Sequence, residues 1–93
     1  MRTKRDGLLP IAKILSEISD PAEMRALLSV LLTQSELREI VNRVRIIEML
    51  AQGTPHREIA ANVGVGIATV SRGASAYKNA SESVLKRLTH MSD

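Results

Sequence analysis

Apolar residues recur at spacings of three and four along most of the chain, with polar residues between them. That period matches the turn of an α-helix, while β-branched residues are scattered and Tyr77 is the one aromatic, so strands are not indicated. The pattern predicts an all-α fold of six helices. Ile11, Ile14, Leu15 and Ile18 form one stripe over about residues 8–19, where Pro10 is tolerable because it falls in the first turn. Asp20, Pro21 and Glu23 carry the signature of a cap, a first helical position and a capping-box acid, and open a helix bearing Met24, Leu27, Leu28 and Leu31. Thr33 and Glu36 repeat the signal for a long helix running to Gln52 and stopped by Gly53. Thr54 as cap and Pro55 at the first position begin a short helix that ends at Gly64, another begins around Ile67, and a last one, over about residues 81–91, lines up Val84, Leu85 and Leu88. No linker, repeat or low-complexity tract interrupts the pattern, so one domain is expected over residues 1–93, its first six residues (1–6) forming a short basic arm.

The composition, 44% apolar and 25% charged in 93 residues, is that of a globular chain. A chain this short buries a small share of its surface and, with no Cys, has no disulfide to compensate, so a second copy is expected to complete the core. The absence of Cys also rules out a thiolate zinc site and a cysteine nucleophile. The N-terminus lacks the apolar stretch of a secretion signal and no long apolar run follows, which leads to the expectation of a cytoplasmic protein without a membrane partner.

The net charge of +3 is unevenly spread. Between residues 6 and 41, Lys13, Arg25 and Arg38 face six acidic residues; between 43 and 80, Arg43, Arg45, Arg57, Arg72 and Lys78 face only Glu48 and Glu58. A basic second half suits a polyanion, although a solvated basic face has the same signature.

Within that half, residues 56–72 have the spacing of a helix-turn-helix, which we place at about 55–76. Ala60 is small where two helices would cross, Gly64 stands where a left-handed turn is needed, and Val70 anchors the second helix. At about 100° per residue, Ile67, Val70, Ala74 and Tyr77 share one face, leaving Ala68, Thr69, Ser71, Arg72 and Ser75 around the rest. Small and hydroxylated side chains suit the major groove of double-stranded DNA, with Arg57, Arg72 and Lys78 neutralising phosphates and His56 pointing at solvent or phosphate. The plain alternative is a helical hairpin with a glycine turn. Arg43 is a second anomaly, since on a helical wheel it lies inside the apolar arc of Leu37, Ile40, Val44, Ile47 and Leu50. Either it pairs with Glu39 one turn earlier and snorkels outward, or it serves a ligand.

Other residues point away from catalysis. His56 and His90 have no second ligand at metal spacing, so no metal site is expected. Thr69 and Ser71 lack a His–acid pair, and the glycine turn lacks the Lys of a phosphate-binding loop, so no catalytic residues are assigned. The stripe Leu27, Leu28, Leu31 reads as core or dimer interface rather than a membrane face. Arg2, Lys4 and Arg5 read as a solvated arm, with DNA stabilisation the lesser alternative.

The run Gly64-Val65-Gly66-Ile67-Ala68-Thr69-Val70-Ser71-Arg72-Gly73, together with Asn42-Arg43-Val44-Arg45-Ile46-Ile47-Glu48, closely resembles the Trp operon repressor family. The likeness extends from about Leu32 to Lys78. It implies a two-fold dimer of interlocked helices that binds a palindromic operator when L-tryptophan, as corepressor, occupies a pocket beside each recognition helix. In the family two arginines sandwich the indole and one also holds the carboxylate; the matching residues are Arg43 and Arg72. Thr33, the backbone near Val30 and Leu32, the apolar wall Ile46 and Ile47, and Gly73 also match pocket positions. The resemblance extends the expected DNA contacts to His56, Arg57, Gly66, Ile67, Ala68, Thr69, Ser71, Arg72, Ser75 and Lys78. This chain departs from the best-known members in having Ala76 in place of a serine near the ligand, a loop after Gly53 one residue shorter, and His56 and Ala60 in place of longer polar or basic residues. Two readings follow: a tryptophan-operated switch, or a ligand-independent helix-turn-helix protein or helical interaction module in which both arginines are structural.

Overall fold

Asp20 sits in extended backbone, where the following proline drives it, and its carboxylate accepts the Glu23 N–H at 3.2 Å. This cap opens a helix in the computed structural model, which describes residues 7–89. The elements are α1 (Leu8–Ser16), α2 (Pro21–Leu31), α3 (Gln34–Ala51), α4 (His56–Val63), α5 (Ile67–Asn79) and α6 (Glu82–Thr89), with no strand among the described residues. The all-α class and the six helices agree with the periodicity. The arm at 1–6, His90 and the expected continuation of the last helix to Met91 lie outside the described residues.

Helix ends differ from expectation in four places: α3 closes at Ala51, one residue before the expected Gln52, and the other three each have a local reason. α1 stops at Ser16, three residues early, in tight turns from Glu17 N–H to Ile14 and from Ile18 N–H to Leu15, because the chain must become extended before Asp20-Pro21. Pro55, not Thr54, is the cap of α4. Thr54 is engaged in closing α3: its N–H reaches the Met49 carbonyl at 3.0 Å while Gly53, at φ +83°, donates to Leu50 at 3.0 Å. That pair of bonds is a Schellman closure, which needs a residue in the left-handed region. Ser81 is the cap rather than the first residue of α6, its hydroxyl accepting from Val84 N–H. At the start of α3 the expected capping box is complete, with Thr33 Oγ1 accepting from Glu36 N–H and Glu36 Oε1 from Thr33 N–H.

The chain divides into two units near the start of α3, one up to Leu37 and one from Arg38. In the first, no described residue is buried, and Leu8, Leu9, Ile14, Val30 and Leu31 are at least half exposed. The second has a true core. Ile46 of α3, Ile59 of α4 and Val70 of α5 are fully buried, flanked by Met49, Leu50, Ala60, Val63 and Val65. Each such side chain contributes on the order of 1.5–3 kcal/mol by leaving water. α4 packs on α5 through this cluster. Between them Gly64 takes φ +82°, and the Ala60 carbonyl accepts from both Gly64 and Val65 N–H. The expected helix-turn-helix is thus present, with Ala60, Gly64 and Val70 in their anticipated places.

Candidate ligand cleft and nucleic-acid interface

Gly73 fixes how closely α5 approaches α3. It is buried, and a Cβ built on it would lie 2.7 Å from Ile46 Cγ2 and 3.6 Å from Arg43 Cδ. Only glycine lets the two helices meet here, and the stem of Arg43 runs alongside the crossing. Next to it, entirely within the second unit, lies a cleft of about 260 Å³ lined by Glu39, Asn42, Arg43, Val65, Thr69 and Arg72. Arg43 is half-buried and Arg72 exposed. Among the described residues, no ion pair joins either guanidinium to a carboxylate, so the expected alternative of an Arg43–Glu39 pair is not formed. Two planar cations beside an open space can stack on a flat ring and make charge-assisted bonds to a carboxylate.

Of the residues expected to hold a ligand, Arg43 and Arg72 line this cleft. Ile46 and Ile47 are buried and are not among its lining residues, Ile46 belonging to the core beneath. Val30, Leu32 and Thr33 belong to the first unit and do not line it either. Val30 is 82% exposed, and Thr33 caps α3. Sequence reasoning missed Asn42 and Val65 as lining residues, and treated Glu39 only as a partner for Arg43. The available signal was the one-turn spacing from Glu39 to Arg43 on α3; none marked Val65, which lies in the turn before α5. Thr69, expected on the outer face of α5, is half-buried and faces the cleft.

The other expected nucleic-acid contacts lie on open surface. Gly66, Ile67, Ala68, Ser71, Arg72, Ser75 and Lys78 are all exposed, as are His56 and Arg57 on α4. Ala68, Ser71, Arg72 and Ser75 fall within an arc of roughly 100° opposite the inward Val70, Gly73 and Tyr77. Ile67 differs from its assignment to the inner face. It is 51% exposed, because it lies at the edge of that face in the first turn. No side chain caps α5 at Gly66, and the Gly66 carbonyl accepts from Thr69 and Val70 N–H, so the Ile67 and Ala68 N–H groups of the first turn have no side-chain acceptor among the described residues. Among the described residues no group of three or more His, Asp or Glu is placed to hold a metal ion, and no described helix is long and apolar enough to cross a membrane.

A sequence model of the family described as "Trp repressor protein" matches residues 7–92, which takes in all six helices. The chain belongs to the Trp repressor family. Its similarity to individual members of the Trp repressor family is moderate. A Trp operon repressor homolog of Xylella fastidiosa is 35% identical over 66 residues, covering 70% of this chain and 72% of that protein. The homolog of Vibrio cholerae is 44% identical over 57 residues, 60% of this chain and 55% of its own. That of Vibrio parahaemolyticus is 33% identical over 79 residues, 84% and 77% respectively. These relatives are named as operon repressor homologs.

Proposed function

We propose that the chain is a DNA-binding transcriptional repressor, acting as a homodimer on a palindromic operator in the cytoplasm with L-tryptophan as corepressor. The observation that carries this reading is the double placement of Arg72. It lines the cleft together with Arg43 and also stands on the exposed arc of α5 with Ala68, Ser71 and Ser75. An indole ring between the two guanidinium groups, its carboxylate held by one of them, fills the space between α3 and α5 and restricts the angle of α5. Gly73, Ile46 and Ile47 back this wall, and Val30, Leu32 and Thr33 remain proposed ligand contacts. A ligand that favours the DNA-competent tilt is itself bound more tightly on DNA, because the coupling is reciprocal.

On DNA, the uncapped N–H groups of the first turn after Gly66 and the cations Arg57, Arg72 and Lys78 hold phosphates, with His56 beside them. Ile67, Ala68, Ser71 and Ser75 meet base edges and methyl groups, while Thr69, expected among them, faces the cleft instead. Two copies related by a two-fold axis present two such helices to successive major grooves about 34 Å apart.

The chain has no Trp and a single Tyr, so emission from added L-tryptophan is seen against little background. Titration into the wild type is expected to give a shifted, saturable signal that Arg72→Ala largely abolishes. An unaltered spectrum at millimolar ligand would favour the ligand-independent reading.

A further inference from the structure

Glu39 is the one carboxylate in a cleft otherwise furnished with two guanidinium groups, an amide and a hydroxyl. It stands one helical turn before Arg43 on α3, and residues so spaced have their Cβ atoms about 5–6 Å apart on the same face. The two do not pair with each other, and no other described residue pairs with Arg43. The cleft therefore offers an anion and a cation side by side, with the second cation, Arg72, coming from α5. A ligand bearing only a carboxylate would use the cations and leave Glu39 repelling it. An α-amino acid carries an ammonium and a carboxylate on adjacent bonds, at a separation that two charged heads one turn apart on a helix can span. At about 260 Å³ the cleft lies just below the ~300–1,000 Å³ of sites for drug-sized ligands, which suits a single amino acid.

We infer that Glu39 recognises the ligand's α-ammonium group and makes this cleft selective for a zwitterionic aromatic amino acid over the same acid lacking its amino group. The inference rests on the tryptophan reading above and refines it. Glu39 is exposed, so water screens the contact and the discrimination is moderate, roughly three- to tenfold.

Isothermal titration calorimetry of the full chain with L-tryptophan and with indole-3-propionate, for the wild type and Glu39→Gln, tests it. Glu39 lies on an exposed part of α3 outside the buried core, so the variant folds, which circular dichroism verifies. The expected result is that Glu39→Gln weakens L-tryptophan roughly three- to tenfold and leaves indole-3-propionate unchanged or tighter. Equal ratios of the two affinities in both proteins, with both ligands bound, would overturn the role of Glu39 and leave the tryptophan site standing. Failure of the wild type to bind either ligand would overturn the site itself.

Discussion

Gly73 has no room for a side chain, and this single constraint links the core to the cleft. An added methyl group 2.7 Å from Ile46 Cγ2 cannot be relieved by rotation, since Ile46 is itself fully buried. Overpacking of this kind costs about 1–3 kcal/mol, against about 1 kcal/mol that Ala gains over Gly inside a helix. Gly73→Ala is therefore expected to lower stability by up to about 2 kcal/mol in chemical denaturation and to weaken tryptophan binding, because the displaced helix carries Arg72 away from Arg43. Combining it with Ile46→Ala should cost less than the two changes added, the sign of direct contact. Gly66 makes the contrast: a Cβ there meets nothing within 4 Å, and its φ of −76° suits any residue. Gly66→Ala is expected to leave stability nearly unchanged, because the unfolded-state gain of about 0.4–1 kcal/mol is offset by the poorer fit of Ala at the helix N-cap, while weakening DNA binding, where backbone must approach phosphate. The sequence already marked Arg43 as anomalous, because a charge within an apolar stripe breaks a periodic pattern. It could not mark Ile46 as lying beneath the cleft rather than along it, since two neighbouring apolar residues look alike until a second helix crosses them.

Among the elements, the helix-turn-helix was the most legible, because glycine at a left-handed turn and an alanine at a helix crossing are requirements that few residues meet. The end of α3 was legible for the same reason, Gly53 being the only residue in its neighbourhood suited to φ +83°. The start of α4 was misplaced by one residue because Thr54 can either cap a helix or close the preceding one, and only hydrogen bonding decides. Thr69 was assigned outward because a wheel drawn on α5 alone ignores α3. At this scale the turn itself can be tested. Gly64→Ala meets no neighbouring atom but must adopt φ +82°, and is expected to cost about 1–2 kcal/mol from backbone strain alone. On the outer face, Lys78→Ala should weaken binding to specific and random duplex alike and reduce the salt slope by about 1, whereas substitutions at Ala68 and Ser71 should alter sequence preference. An unchanged salt slope would remove Lys78 from the phosphate contacts.

For the whole molecule, the contrast between the two units decides what is needed for stability. From Arg38 onward the chain has a buried core, whereas up to Leu37 no described residue is buried and several large apolar side chains face outward. Apolar periodicity revealed those stripes but not their partner, since the same residues can serve a core or an interface. In the proposed dimer a second copy covers them. Sedimentation equilibrium is expected to give a dimer at micromolar concentration, and Ile14→Asp with Leu31→Asp, both exposed in the single chain, to shift it toward monomer. A variant that stays dimeric would place the interface elsewhere. The central claim, that L-tryptophan aims paired recognition helices at one duplex, is tested most directly by selecting bound sequences from a random pool of double-stranded DNA with and without L-tryptophan. The account predicts enrichment of a palindromic sequence only when the amino acid is present; equal enrichment in its absence, or none in its presence, would contradict it.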